Sequence, residues 1–167
     1  MTSDAPDAKV VVPLTPDDVG WPPMATEHLW AWSLGDDRYR IASPPWFARD
    51  LAVDDVVRAR VSGIPADAGP DATAAPTFIE VLVSSQNVTL RLIVHPPLSL
   101  ENASKAIAPL GVGAEGFAHY SMLAVDVPPE ADFAAVAHAM DEGQRAGRWD
   151  WEEAKITARW IAATAGI

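Results

Sequence analysis

Apolar positions are sparse over residues 1–26, where Val10-Val11-Val12 stands alone among Pro, Asp, Thr and Ala. So little apolar surface cannot offset the entropy of ordering, which predicts a disordered tail pinned at most near residues 10–14. From Leu29 the pattern changes. Residues 29–34 read as a strand, Gly35-Asp36-Asp37 as a tight turn and residues 38–41 as the returning strand of a hairpin. Ser43-Pro44-Pro45 breaks the pairing and Trp46-Phe47 supplies a core anchor. Residues 55–61 give a third strand with Val57, Ala59 and Val61 on one face.

The Pro, Ala, Asp and Gly content of residues 65–76 marks a loop. Two strands follow, 78–83 and 88–95, joined by the turn Ser84-Ser85-Gln86-Asn87. In the second, Val88, Leu90, Leu92 and Val94 alternate with Thr89, Arg91 and Ile93, which predicts a core face and an opposite face. Ser99 is placed to cap a helix carrying Leu100, Ala103, Ile107 and Leu110, which Gly111 stops. A strand over 120–127 ends at Pro128-Pro129. Asp132 caps a second helix with the stripe Phe133, Val136, Ala137, Met140, loosened at Gly143 and Gly147. Asp150 and Glu153 have capping-box spacing and predict a last helix over 151–164.

The fold expected is therefore α+β: a small bent β-hairpin or partial-barrel subdomain, then a β-β-α-β-α-α sheet with helices on one face. The expected boundaries are a tail over 1–26, the β subdomain over 27–64, a linker loop over 65–77 and the sheet-and-helix subdomain over 78–167, all within one compact domain.

Charge narrows the choice of partners. The formal net charge is −11, and the acidity is spread, with 6 basic against 12 acidic residues in 1–77 and 6 against 11 in 78–167. Phosphate binding needs clustered Lys and Arg, so nucleic acid is not the expected partner, while a basic protein is. The absence of cysteine excludes disulfides, thiolate metal sites and a cysteine nucleophile, and fits a reducing cytoplasm. An acidic start without a long apolar stretch argues against export, and no window is apolar enough for a membrane span.

Catalytic signatures are weak. Gly111-Val112-Gly113-Ala114-Glu115-Gly116 spells the dinucleotide fingerprint, but a helix precedes it and a strand follows, the reverse of what a pyrophosphate site needs. The glycines read better as a helix cap and a flexible connection. His28, His95, His119 and His138 lack metal-ligand spacing. Ser85, His119 and Asp126 form a triad only on paper, without the elbow that exposes a nucleophilic serine. The carboxylate pairs Asp36-Asp37, Asp54-Asp55 and Glu152-Glu153 read as solvated. Trp30 with Trp32, and Trp149 with Trp151, are possible stacking platforms, although core packing is the more frequent role. No metal or cofactor is expected.

Several segments in order carry a family likeness: Leu29-Trp30-Ala31, Asp37-Arg38-Tyr39-Arg40-Ile41, Pro45-Trp46-Phe47-Ala48, the run from Leu51 to Val57, Ser85-Gln86-Asn87-Val88-Thr89-Leu90-Arg91, Leu110-Gly111 and Ala124-Val125-Asp126-Val127-Pro128. Over about residues 27–153 the chain resembles the bacterial domain of unknown function 4265 family. Where that family has Gly-His, this chain has Gln86-Asn87, so no histidine role passes to it. The resemblance implies the architecture and no activity. Thr89 and Arg91 remain on one strand face, with Glu80 of the neighbouring strand expected within reach of Arg91 as a satisfied polar cluster.

The sequence thus points to a non-enzymatic protein-interaction domain, in its concrete form an antitoxin- or immunity-like protein for a basic partner. The alternative is a small-molecule-binding or enzymatic domain using the cleft between the two subdomains. The candidate contact residues are Trp46, Asn87, Thr89 and Arg91; no catalytic residue stands out.

Overall fold

A computed structural model describes residues 5–62 and 74–166. The chain divides into two compact units, Met1–Ser43 with Asp54–Ser85, and Pro44–Val53 with Gln86–Ile167.

The first unit is a closed five-stranded barrel of β1 (Ala8–Pro13), β2 (Thr26–Gly35), β3 (Arg38–Ile41), β4 (Val56–Arg60) and β5 (Thr77–Val83), adjacent in chain order. Alternation builds its interior from Val10, Val12, Leu29, Ala31, Ile41, Val57 and Ala59, all buried. The hairpin between β2 and β3 turns at Asp36 and Asp37, with φ of 53° and 58°. Positive φ at both central residues gives a turn whose twist matches the strands, and Asp tolerates it better than most residues. Closure comes from β1, which pairs antiparallel with β2 over six residues and meets β5 at Val11 and Thr77.

These observations correct the expected boundaries. The tail expected over 1–26 contains strand β1: Val10 and Val12 find their burial across the sheet, which local composition cannot register. Segment 78–83 belongs to the barrel as β5, pairing with β4 rather than forming a hairpin with the strand after it. Most of the linker expected over 65–77 lies outside the described residues. Val61 lies beyond β4 and is exposed, not on the shared apolar face expected for it.

The second unit runs β6 (Val88–Val94), α1 (Leu100–Ile107), β7 (Gly113–Phe117), β8 (Met122–Val127), α2 (Phe133–Arg145), β9 (Trp149–Lys155) and α3 (Ala158–Thr164). The sheet order is β7-β8-β6-β9 and every neighbouring pair is antiparallel. This β-α-β-β-α-β order is the ferredoxin-like split βαβ arrangement, extended by α3. Its core joins Val88, Leu90, Leu92 and Val94 to Leu123, Val125 and Val127, and to Ala103, Ile107, Phe133, Val136, Met140 and Trp160 of the helices. Ser99, Asp132 and Thr157 cap the three helices through their side-chain oxygens.

Two elements differ from expectation. Residues 149–155 form strand β9, and the last helix begins only after Thr157. The run Trp149-Asp150-Trp151-Glu152 alternates with period two, and pairing with β6 outweighs the capping-box spacing of Asp150 and Glu153. The connection expected to be loose after Gly111 is the edge strand β7. Gly111 itself, at φ 75°, ends the 3-10 turn that follows α1.

Candidate functional site

Thr89, Arg91 and Ile93 lie on the face of the second sheet opposite its helices. Bare, that face would expose Thr89 and Arg91, yet they are 0% and 5% exposed. Segment 44–53, inserted in the chain between β3 and β4, crosses this face. Thr89 Oγ1 donates to the Leu51 carbonyl at 2.9 Å, Arg91 Nη2 donates to the Ala48 carbonyl, and the Asp50 amide donates to the Ala154 carbonyl at 3.1 Å. The segment's aromatic end packs beside them. The Trp46 ring lies 5.0 Å from Phe117, Phe47 meets Phe117 and Tyr120 edge-on, and Trp46 Nε1 donates to the Glu115 carbonyl at 3.1 Å.

Charge on this face is arranged around Arg91. Its Nη1 donates to Glu152 Oε1 at 3.0 Å, and the other Glu152 oxygen receives Arg49 Nη2 at 3.3 Å. Glu80, the expected partner, instead pairs with Arg58 inside the barrel unit, because β5 and β6 do not pair. Near the start of β6, Asn87 Nδ2 donates to Asp126 Oδ1 at 2.9 Å, while the Asn87 backbone carbonyl accepts from the buried Lys155 Nζ at 3.0 Å. Glu115 lies on β7, and partial desolvation of its carboxyl raises its pKa from the ordinary carboxylate value.

All four candidates fall in the second unit. Trp46, Thr89 and Arg91 hold segment 44–53 to the sheet or pack beside it, and Asn87 ties β6 to β8 and β9. Glu152 and Lys155 were hidden from sequence reading by the helix expected over them. The signal was present, since Asp150 and Glu152 fall on one face once 149–155 is read as a strand.

Beyond the inserted segment, Arg91, Ile93, Met122, Asp150, Trp151 and Glu152 line an open cavity of about 190 Å³. A second cavity of about 310 Å³ lies among His95, Pro96, Pro97, Leu98, Asn102, Ala146, Gly147 and Arg148. The other sequence candidates disperse. His119 stacks edge-on against Tyr120, His138 faces Glu142 one helical turn on, and His95 Nε2 meets Asp150 Oδ2 at 3.0 Å. Among the described residues no cluster of His, Asp or Glu is arranged to hold a metal, and no helix is long and apolar enough to cross a membrane. Trp149 is buried and its Nε1 donates to the Met140 carbonyl, so packing accounts for it. Trp30 is 47% exposed, with Lys9 over its ring, and Arg40 stacks on Trp32; neither Trp belongs to a core.

A family model described as Domain of unknown function (DUF4265) matches residues 27–151. The crystal structure of a hypothetical protein from Neisseria gonorrhoeae is similar in fold, with a TM-score of 0.67 at 19% identity, covering 89% of this chain and 94% of that one. No curated protein matches.

Proposed function

Because the chain belongs to the DUF4265 family, whose description assigns no activity, we propose its function from its own residues: a protein-interaction domain that binds a basic partner without catalysing a reaction. The observation that carries this reading is how the candidate polar residues are used. Thr89 and Arg91 are buried and bonded to segment 44–53 and to Glu152, and Asn87 is bonded to Asp126 and Lys155. Groups committed to their own chain hold the fold in place, and a substrate could use them only by breaking those bonds.

The outward surface favours a protein partner. A net charge of −11 attracts a basic protein at long range and raises its association rate. The cavity beside Arg91 is also smaller than the roughly 300–1,000 Å³ usual for small-molecule sites. An antitoxin- or immunity-like protein, which neutralises a basic toxin by covering it, is the concrete form of this reading.

The test is affinity capture by the tagged, folded chain from a lysate of its own cells, at low and at physiological salt, with nucleic acid assayed alongside. A near-stoichiometric basic protein released by the higher salt supports the reading. Capture of nucleic acid instead, or an empty bait, counts against it. The alternative, a small-molecule site, draws on the cavity beside His95, whose volume reaches the lower end of the ligand-binding range. A saturable metabolite-induced rise in melting temperature, lost on Arg148→Ala, would favour it.

A further inference from the structure

We propose that the open edge of the second sheet, strand β7, pairs with an extended segment of the basic partner that places a lysine or arginine beside Glu115; this rests on the interaction reading above and locates its contact. The sheet ends in two outer strands, β7 and β9. Along β9 outward backbone groups are taken: the Trp151 amide donates to Gln144 Oε1 at 3.2 Å, and the Ala154 carbonyl accepts from the Asp50 amide at 3.1 Å. β7 has no such cover.

The ladder shows which groups of β7 are left over. The Val94 amide donates to the Ser121 carbonyl, so Val94, Leu92 and Leu90 turn their backbone groups toward β8. Alternation across the two unbroken registers then turns Gly113, Glu115 and Phe117 inward to β8. The amides and carbonyls of Ala114 and Gly116 point off the sheet, and among the described residues nothing bonds them. Trp46 does not close this edge, since its Nε1 donates to the Glu115 carbonyl, a group already turned toward β8. Natural sheets blunt a bare edge with lysine, proline or a bulge, and Gly113-Ala114-Glu115-Gly116-Phe117 has none of these.

The one charge on the strand selects the occupant. Asp150 and Glu152 are paired with His95 and with Arg91 and Arg49, whereas the Glu115 carboxylate has no ion-pair or hydrogen-bond partner among the described residues. The residue of an added strand that lies opposite Glu115 stands on the same face, about 4.5–5.5 Å away between Cβ atoms. A lysine or arginine there gives the lone carboxylate a partner. An acidic residue is repelled, and an apolar one desolvates the charge further. The backbone of β7 thus supplies the pairing and Glu115 the preference for a basic segment.

The first arm of the test titrates a blocked pentapeptide, lysine at its centre between valines and threonines, into the intact chain. The backbone amides of Ala114 and Gly116 should shift saturably and gain protection from hydrogen exchange, with the millimolar affinity that suits a short unstructured peptide. The amides of Gly113, Glu115 and Phe117, already turned to β8, should change little. Glutamate at the centre of the peptide should weaken binding. Glu115→Gln should weaken the lysine peptide about two- to fivefold, the scale of an exposed ion pair, and leave the glutamate peptide no weaker. Absence of a saturable shift at Ala114 and Gly116, or equal affinity for the two peptides, overturns the proposal.

The second arm separates this proposal from the reading beneath it. Ala114→Pro removes an outward amide that no ladder bond uses, and should abolish capture of the basic partner that the unmodified chain retains. If the folded variant captures that partner as well as the unmodified chain does, the edge assignment falls and the interaction reading stands. If the unmodified chain captures no basic protein, both fall. A dimer of the unmodified chain that Ala114→Pro splits would give the edge to a second copy and overturn the assignment to a partner. Should Ala114→Pro not fold, Glu115→Lys carries the same comparison: it reverses the charge on the strand and should weaken capture, and unchanged capture overturns the proposal.

Discussion

At the scale of single residues, helix propensity and packing make opposite predictions at Gly143. Replacing a helical glycine by alanine ordinarily stabilises by about 1 kcal/mol. Here an added Cβ would lie 2.0 Å from Trp149 Cε2, in a ring that is buried and held by Met140. Packing wins, so Gly143→Ala should destabilise by about 1–3 kcal/mol in urea unfolding. Arg91→Ala should cost about 2–3 kcal/mol, because it strips the Ala48 carbonyl and half of the Glu152 bonding at once. A catalytic or binding role for Arg91 alone would leave the urea midpoint unchanged. Glu115 gives a pH signature. Its folded-state pKa lies above the unfolded value, so its contribution to stability is fully present below the unfolded pKa and is lost as pH rises through the folded one. Glu115→Gln should therefore raise the melting temperature at pH 7, and the gain should vanish as the pH falls below about 4.

At the scale of elements, β1 shows where local reading stops. Its sequence has three apolar residues in a polar stretch, and its stability comes from Val10 and Val12 entering a barrel completed by residues far along the chain. A chain lacking residues 1–13 should lose amide protection across residues 27–31 in hydrogen exchange and melt at a lower temperature. A free tail would leave both unchanged. The same contrast runs through the second unit. The alternation of β6, the caps Ser99 and Asp132 and the stop at Gly111 are local signals, and they were legible. β9 was not, because Asp150 and Glu153 also satisfy a helix start and only the register with β6 decides between the two. The candidate site followed suit. Thr89 and Arg91 were placed correctly on one face, but their partners come from segment 44–53 and from β9, which sequence order places far away.

At the scale of the whole molecule, the proposed interaction pairs an acidic chain with a basic protein, and electrostatics of this kind has a known dependence on salt. Screening lengths shrink from about 30 Å at 0.01 M to about 8 Å at physiological ionic strength. Attraction between a chain of charge −11 and a basic protein should fall accordingly, first in the association rate and then in affinity. The most direct measurement is the dissociation constant between the purified chain and a basic protein recovered by the affinity capture proposed above, determined across that range of salt. The account predicts a steep weakening carried mainly by slower association. A constant that stays flat across the range would contradict it.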